Sequence, residues 1–218
     1  MNQTENPEGR VILIDKPLQW TSFDVVKKIK HKLNLKKVGH AGTLDPLATG
    51  LLILCSGKKT KQIEKIQIQE KEYEGTMTLG QTTPSFDLET ALSPSVPTDH
   101  LTDQQLNEAT HRFIGHIEQV PPVFSALKID GKRAYNKARA GQEVVMKARN
   151  VEIKTFEILS INLPEVKFRV VCSKGTYIRS LAHDFGQALG VGAHLSQLRR
   201  TRIGIYKISE AETIESVE

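Results

Sequence analysis

Cysteine is nearly missing: Cys55 and Cys172 are the only two in 218 residues. Both lie in apolar strand-like runs, with no metal-ligand spacing. They read as small buried hydrophobes of a reducing compartment and exclude a disulfide framework. Long apolar runs are absent too. The longest, Leu51 to Cys55, is strand-sized, far short of the ~20 residues of a membrane span. The opening MNQTENPEGR has no apolar centre and so does not read as a secretory signal. These absences predict a cytoplasmic chain without membrane contact. With 39% hydrophobic and 25% charged residues, it can bury a core and is not disordered as a whole.

Acidic residues are missing from particular places. Six lysines (Lys27, Lys28, Lys30, Lys32, Lys36 and Lys37) follow one another with no acid between them. From Lys128 to Arg149 seven basic residues meet only Asp130 and Glu143, and Arg199, Arg200, Arg202 and Lys207 form a third block. Acids collect instead at Asp87, Glu89, Asp99, Asp103, Glu108 and Glu118. One such block would be an ordinary solvated face; three suggest a face that meets phosphate.

The pattern predicts an α+β domain with a mixed or antiparallel sheet. Val11 to Ile14 reads as a buried strand. Thr21 and Ser22 offer an N-cap to an amphipathic helix with Phe23, Val26, Ile29 and Leu33 inward and its lysines outward. Gly39 to Gly50 reads as a loop, Leu51–Cys55 as a strand, and residues 72–79 as a half-buried strand. Residues 82–100 read as loop. Thr102 with Gln105 forms a capping box, and Asp130-Gly131 is a hairpin signal. Val151–Ile161 and Val166–Ser173 read as strands, and Thr176 opens a helix stopped by Gly190.

The segment GHAGTLDPLATG (residues 39–50) is the most unusual in the chain. Its three glycines allow close approach of the backbone to a ligand, and Pro46 drives Asp45 out of the helical region. An aspartate held there is a nucleophile, a base, or a structural cap of the turn. A second cluster, Lys174-Gly175-Thr176-Tyr177-Ile178-Arg179, places Arg179 in the first turn of a helix, where the dipole offers it nothing. It is either exposed or faces a carboxylate, and Asp45 is the candidate.

The stretch GHAGTLDPLATGLL resembles the catalytic-aspartate motif of the TruB family of tRNA pseudouridine synthases. DKPLQWTSFDVV, KEYEGTMTLGQTT, PPVFSALKIDGKRAY and CSKGTYIRSLAHDFGQALGVGAHLSQLRRTRIG resemble that family too, in family order, from about residue 10 to 208. The resemblance implies a pseudouridine synthase fold: a central mixed sheet flanked by helices, with a thumb-like RNA-binding insertion at 121–150. It implies isomerisation of uridine at position 55, in the T loop of tRNA, after the base is flipped out, with no cofactor or metal, by a monomer. Asp45 would be the nucleophile, Tyr73 would stack on the uracil, Arg179 would pair with Asp45, and Tyr177 would line the pocket. Lys61 and Leu198 match residues near that pocket, and His40 matches a ring that fills the space left by the extruded base. Lys128, Lys132 and Arg133 in the insertion, with Arg199 and Arg200, would hold the RNA. The domain would run from 10 to 208, between a polar tail (1–9) and an acidic tail (209–218), without the C-terminal module of the PUA type found in longer relatives. The same motifs admit two further readings: an RNA chaperone with dispensable catalysis, and a guide-RNA-dependent dyskerin-like synthase.

Overall fold

The structure, a computed structural model, describes residues 8–125, 127–129, 132–134 and 144–218. The chain divides into two compact units, one made of the residues up to Glu74 with Gln197–Glu218, the other of Gly75–Ser196. Strands β4 (Lys71–Leu79) and β10 (Ala193–Ile203) contribute a part of their length to each.

The first unit is built on β3 (Ala48–Ser56), which is buried along almost its whole length. One edge of β3 pairs antiparallel with β1 (Val11–Lys16), Val11 opposite Cys55 and Lys16 opposite Gly50. The other edge takes β2 (Val38–His40) antiparallel at one end and β10 parallel at the other, Leu198 facing Ala48 and Arg200 facing Gly50. The sheet is therefore mixed. β1 alternates: Ile12 and Ile14 enter the cluster beneath α1, while Val11 and Leu13, partly buried, pack on the other face against Leu51, Ile53 and Cys55. Helix α1 (Ser22–Lys32) starts in a full capping box: Thr21 caps Asp24 and Asp24 answers to the Thr21 amide. Val25, Val26 and Ile29 meet Ile12, Ile14, Leu52 and Leu54 in one apolar cluster. Phe23, expected on that face, points out and is 69% exposed. The helix turns Ser22, not Phe23, toward the interior, because the Ser22 hydroxyl has buried partners there.

The C-terminal segment, expected as an acidic tail, is a packed part of this unit. Ile214 and Val217 join the cluster beneath α1. The Glu212 amide donates to Leu13 O, the Asp15 amide donates to Glu212 O, and the Lys32 ammonium reaches the carbonyls of Ile214 and Glu215. Burying two aliphatic side chains contributes about 1.5–3 kcal/mol each, while Glu212, Glu215 and Glu218 stay exposed to solvent. β11 (Tyr206–Lys207) folds back on β10, with Gly204 between them at φ +53.

In the second unit the order is β4, β9 (Glu165–Cys172), β8 (Arg149–Asn162), β5 (Gly115–Gln119), with β8 antiparallel to both neighbours. Phe113, Phe156, Phe168 and Phe185 pack edge to face or tilted over this sheet. Helix α3 (Asp103–Thr110) begins in the predicted Thr102–Gln105 box; α2 (Ile63–Gln67) is a short turn of the first unit. Helix α4 (Ile178–Ala188) buries Ile178, Leu181, Ala182 and Phe185. Gly186 lets it approach residues 192–193, since a Cβ there would lie 2.2 Å from the Ala193 amide. β6 (Lys128–Ile129) and β7 (Lys132–Arg133) form a two-stranded ribbon with Lys128 opposite Arg133, as the Asp130-Gly131 signal predicts; those two turn residues lie outside the described ones.

Candidate active site

The Asp45 loop hangs between β2 and β3, and its backbone is held on three sides. The Ser22 hydroxyl accepts from the Leu44 amide (2.9 Å) and donates to Leu44 O (3.2 Å). The Lys16 ammonium donates to the carbonyls of Pro17 (2.9 Å), Trp20 (2.6 Å) and Pro46 (3.4 Å). Arg200, 1% exposed, sends Nε to Leu51 O (2.8 Å), Nη1 to Thr43 O (3.3 Å) and Nη2 to Gly42 O (3.2 Å). Two glycines make this possible: Gly42 and Gly50 sit at φ +110 and +99, and a Cβ on Gly50 would lie 2.4 Å from Arg200 O. The Ala48 amide closes the turn onto Asp45 O (3.0 Å). The Asp45 side chain is half-buried at the lip of this scaffold.

Electrostatics at the loop are dominated by burial. It pushes the Lys16 ammonium down to about 8, against the pull of the Asp45 carboxylate. His40, at the end of β2, is held below its ordinary value by burial, against a backbone bond to Gly42, and Arg200 adds to the lowering. Its ring is therefore neutral at physiological pH, and its Nδ1 has no hydrogen-bond partner among the described residues. Leu198 pairs with Ala48 in the β10 ladder, three residues from Asp45. Tyr73 is buried in β4, and Lys61 is exposed on the 3₁₀ turn Gly57–Gln62.

Two arginines expected to hold RNA have other partners. Arg200 is turned inward, as described, because the loop carbonyls would otherwise be buried without donors. Arg199 forks onto Asp15, Nη1 to Oδ1 at 3.0 Å and Nη2 to Oδ2 at 2.7 Å, with its side chain 43% exposed. Nothing in the sequence pattern distinguishes the two, since both stand in one basic block.

In the second unit Tyr177 caps α4; its amide donates to Gln119 Oε1 (2.8 Å), and Gln119 Nε2 donates to Tyr177 O (3.0 Å). Arg179 follows, 4% exposed, donating to Ser85 O (3.1 Å) and Phe124 O (3.0 Å), with Asp87 Oδ2 at 3.4 Å. Asp87, which sequence reasoning passed over as part of a loop, is buried and fixed in turn: its Oδ1 accepts from the Glu89 amide, and its carbonyl accepts from Thr83 and Ser85. Residues 82–90 are thus a wired loop, and the Arg179 bonds that tie α4 to it and to Phe124 carry no sequence signature. Lys128, Lys132 and Arg133 stand on the ribbon, where the side chains lie outside the description.

The chain is similar to known proteins. The family model "TruB family pseudouridylate synthase (N terminal domain)" matches residues 30–178, and "tRNA pseudouridylate synthase B C-terminal domain" matches 179–218. The tRNA pseudouridine synthase B of Phocaeicola vulgatus is 57% identical over 215 residues, 96% of this chain and 92% of that protein. The enzyme of the same name from Flavobacterium johnsoniae is 53% identical over 225 residues, 100% of this chain and 98% of that protein. Among solved structures, a Cbf5-Nop10-Gar1 complex superposes with a TM-score of 0.74 at 36% identity, over 96% of this chain and 53% of that one. An H/ACA RNP bound to a substrate RNA containing 2′-deoxyuridine superposes with a TM-score of 0.71 at 34% identity, over 96% of this chain and 52% of that one. With the two models covering residues 30–218 in order and such relatives spanning nearly the whole chain, the protein belongs to the TruB family of pseudouridylate synthases, and is thereby an isomerase.

Proposed function

We propose that this protein isomerises uridine to pseudouridine in tRNA, at position 55 in the T loop, with Asp45 as the nucleophile. The observation that carries the reading is the pinning of the Asp45 loop. Three buried side chains, Lys16, Ser22 and Arg200, direct their donors to its backbone, while the carboxylate stays half-buried at the lip. Such preorganisation serves a group that must be aimed. The relatives named tRNA pseudouridine synthase B support tRNA as the substrate.

In the reaction Asp45 forms a transient bond, at ribose C1′ or uracil C6. The N1–C1′ bond breaks, the uracil turns, C5 joins C1′ as the bond to Asp45 is released, the C5 proton leaves and N1 takes up a proton. Atoms balance without a cofactor. The target base must leave its stack, at a cost of a few kcal/mol. A neutral His40 ring fills the vacancy, a contact of about 1–3 kcal/mol per base. Tyr73 stacks on the uracil; a phenol, with an ordinary pKa of ~10, is a poor base at neutral pH. Arg179, held beside Asp87, and Tyr177, Lys61 and Leu198 take the roles that the family resemblance implies for them. The ribbon with Lys128, Lys132 and Arg133 grips the T arm.

The test is to incubate the purified protein with an unmodified tRNA transcript and map pseudouridine. The expected result is one modified site in the T loop. Asp45→Asn abolishes it while changing tRNA affinity by less than about tenfold (~1.4 kcal/mol). Turnover by Asp45→Asn above a few per cent of wild type overturns the nucleophile. Binding by the wild type without conversion leaves the chaperone reading instead.

A further inference from the structure

Helix α1 carries a feature that the reaction leaves unused. A cavity of about 450 Å³ opens on the first unit, lined by Gln19, Trp20, Asp24, Lys27, Lys28 and His31. It adjoins the Asp45 loop directly. The Gln19 amide donates to Pro46 O (2.8 Å), and the Trp20 and Pro46 carbonyls share the Lys16 ammonium. Trp20 is half-buried and packs against the cluster beneath α1, so its ring is a fixed wall. Leu18 and Phe23 stand alongside, 54% and 69% exposed.

The rim is cationic and uncommitted. Lys27, Lys28 and His31 are exposed, and their side chains make no hydrogen bond among the described residues. The one acid, Asp24, has its carboxylate engaged by the Thr21 amide (3.0 Å) and hydroxyl (2.5 Å), which hold it low. It serves the helix cap, and although its charge also acts on Lys27, Lys27 and Lys28 together leave the rim net cationic. An indole wall under two ammonium groups suits a planar base with its phosphates, because single-stranded RNA is recognised by stacking and backbone charge. An acidic peptide would use the lysines but leave the indole unused.

We infer that the Trp20 cavity seats a nucleotide of the substrate RNA flanking the target uridine, its base against the indole and its phosphates on Lys27 and Lys28. The inference rests on the RNA-isomerase reading above and adds a second seat to it.

Trp20 is the only tryptophan and so its own reporter. Its emission is followed while the Asp45→Asn chain is titrated with a T-arm RNA, with binding measured separately by filter retention. The expected result is a saturable emission change that tracks binding. Lys27→Gln/Lys28→Gln, on the exposed helix face, should weaken binding about three- to tenfold and lower the salt slope of log K by about 1.4–1.8, at 0.7–0.9 per lost phosphate. In the otherwise wild-type enzyme the same pair should raise KM by that factor and leave kcat within about twofold. Inorganic polyphosphate, an anion without a base, should leave the emission unchanged. Silent emission at RNA saturation, a lysine variant that binds like its parent, or an equal response to polyphosphate would each overturn the seat. If wild-type protein converts the RNA while Trp20 stays silent, only the seat falls; if it neither binds nor converts, both readings fall.

Discussion

At the scale of single residues, Arg200 is the most instructive. In the sequence it is one member of a basic block; in the fold it is a buried fork on two carbonyls of the Asp45 loop and one of β3. Arg200→Lys cannot serve all three acceptors, so it should cost about 2–4 kcal/mol of stability in urea unfolding. It should lower kcat at least about tenfold while tRNA affinity changes less than about threefold, since the aim of Asp45 is lost and not a phosphate contact. A variant with normal kcat and raised KM would reverse that assignment. Asp45 was legible because glycines and proline mark its loop locally. Arg200 and Asp87 were not, because their partners are distant in sequence and a charged side chain satisfied by carbonyls leaves no pattern. Asp184 offers a separate test. Burial pushes its carboxyl up to about 6, and it makes no hydrogen bond or ion pair among the described residues. A carboxyl raised above its unfolded value of ~3.9 binds more protons when folded, so its contribution is fullest below pH 4 and is lost as pH rises through about 6. Asp184→Asn should therefore stabilise the protein by about 1 kcal/mol at pH 7.5, a figure reduced for its partial exposure, and not at pH 4. Urea midpoints at both pH values measure the difference.

At the scale of elements, local chemistry was the best guide. The Thr102–Gln105 box and the Asp130-Gly131 hairpin signal stand where the pattern puts them. Helix α1 was found, with Val26, Ile29 and Leu33 inward as expected, but Phe23 stands outside because Ser22 turns in to bond Leu44. Strand β10 was missed altogether. Arg199, Arg200 and Arg202 break its alternation, and each is accommodated by a partner brought from elsewhere in the first unit. β10 in turn sets the tolerance of β3. Gly50 lies opposite Arg200 at positive φ, with no room for a Cβ. Gly50→Ala should cost more than about 3 kcal/mol, or prevent folding, in contrast to the gain usual for Gly→Ala at permissive sites. A urea midpoint unchanged from the parent would contradict this.

At the scale of the whole molecule, the acidic C-terminal segment offers RNA little and is engaged in the core of the first unit. The T arm should then supply most of the recognition. An isolated T-arm stem-loop is expected to show kcat/KM within about tenfold (~1.4 kcal/mol) of full tRNA. A preference of a hundredfold or more for full tRNA, read from parallel time courses, would show that the acceptor side is gripped as well. The division of the chain also bears on its synthesis. The second unit is one uninterrupted stretch, whereas the first needs Ile214 and Val217 against β1 and α1. On the ribosome, at about 5–20 residues per second, the N-terminal strands wait on the order of ten seconds for the partners that close their core. Until then the Leu51–Cys55 run and the lysine-rich helix are exposed together. The Asp45 loop, framed by β10, is thus among the last parts to be completed, so a nascent chain presents its block of lysines before that loop is set.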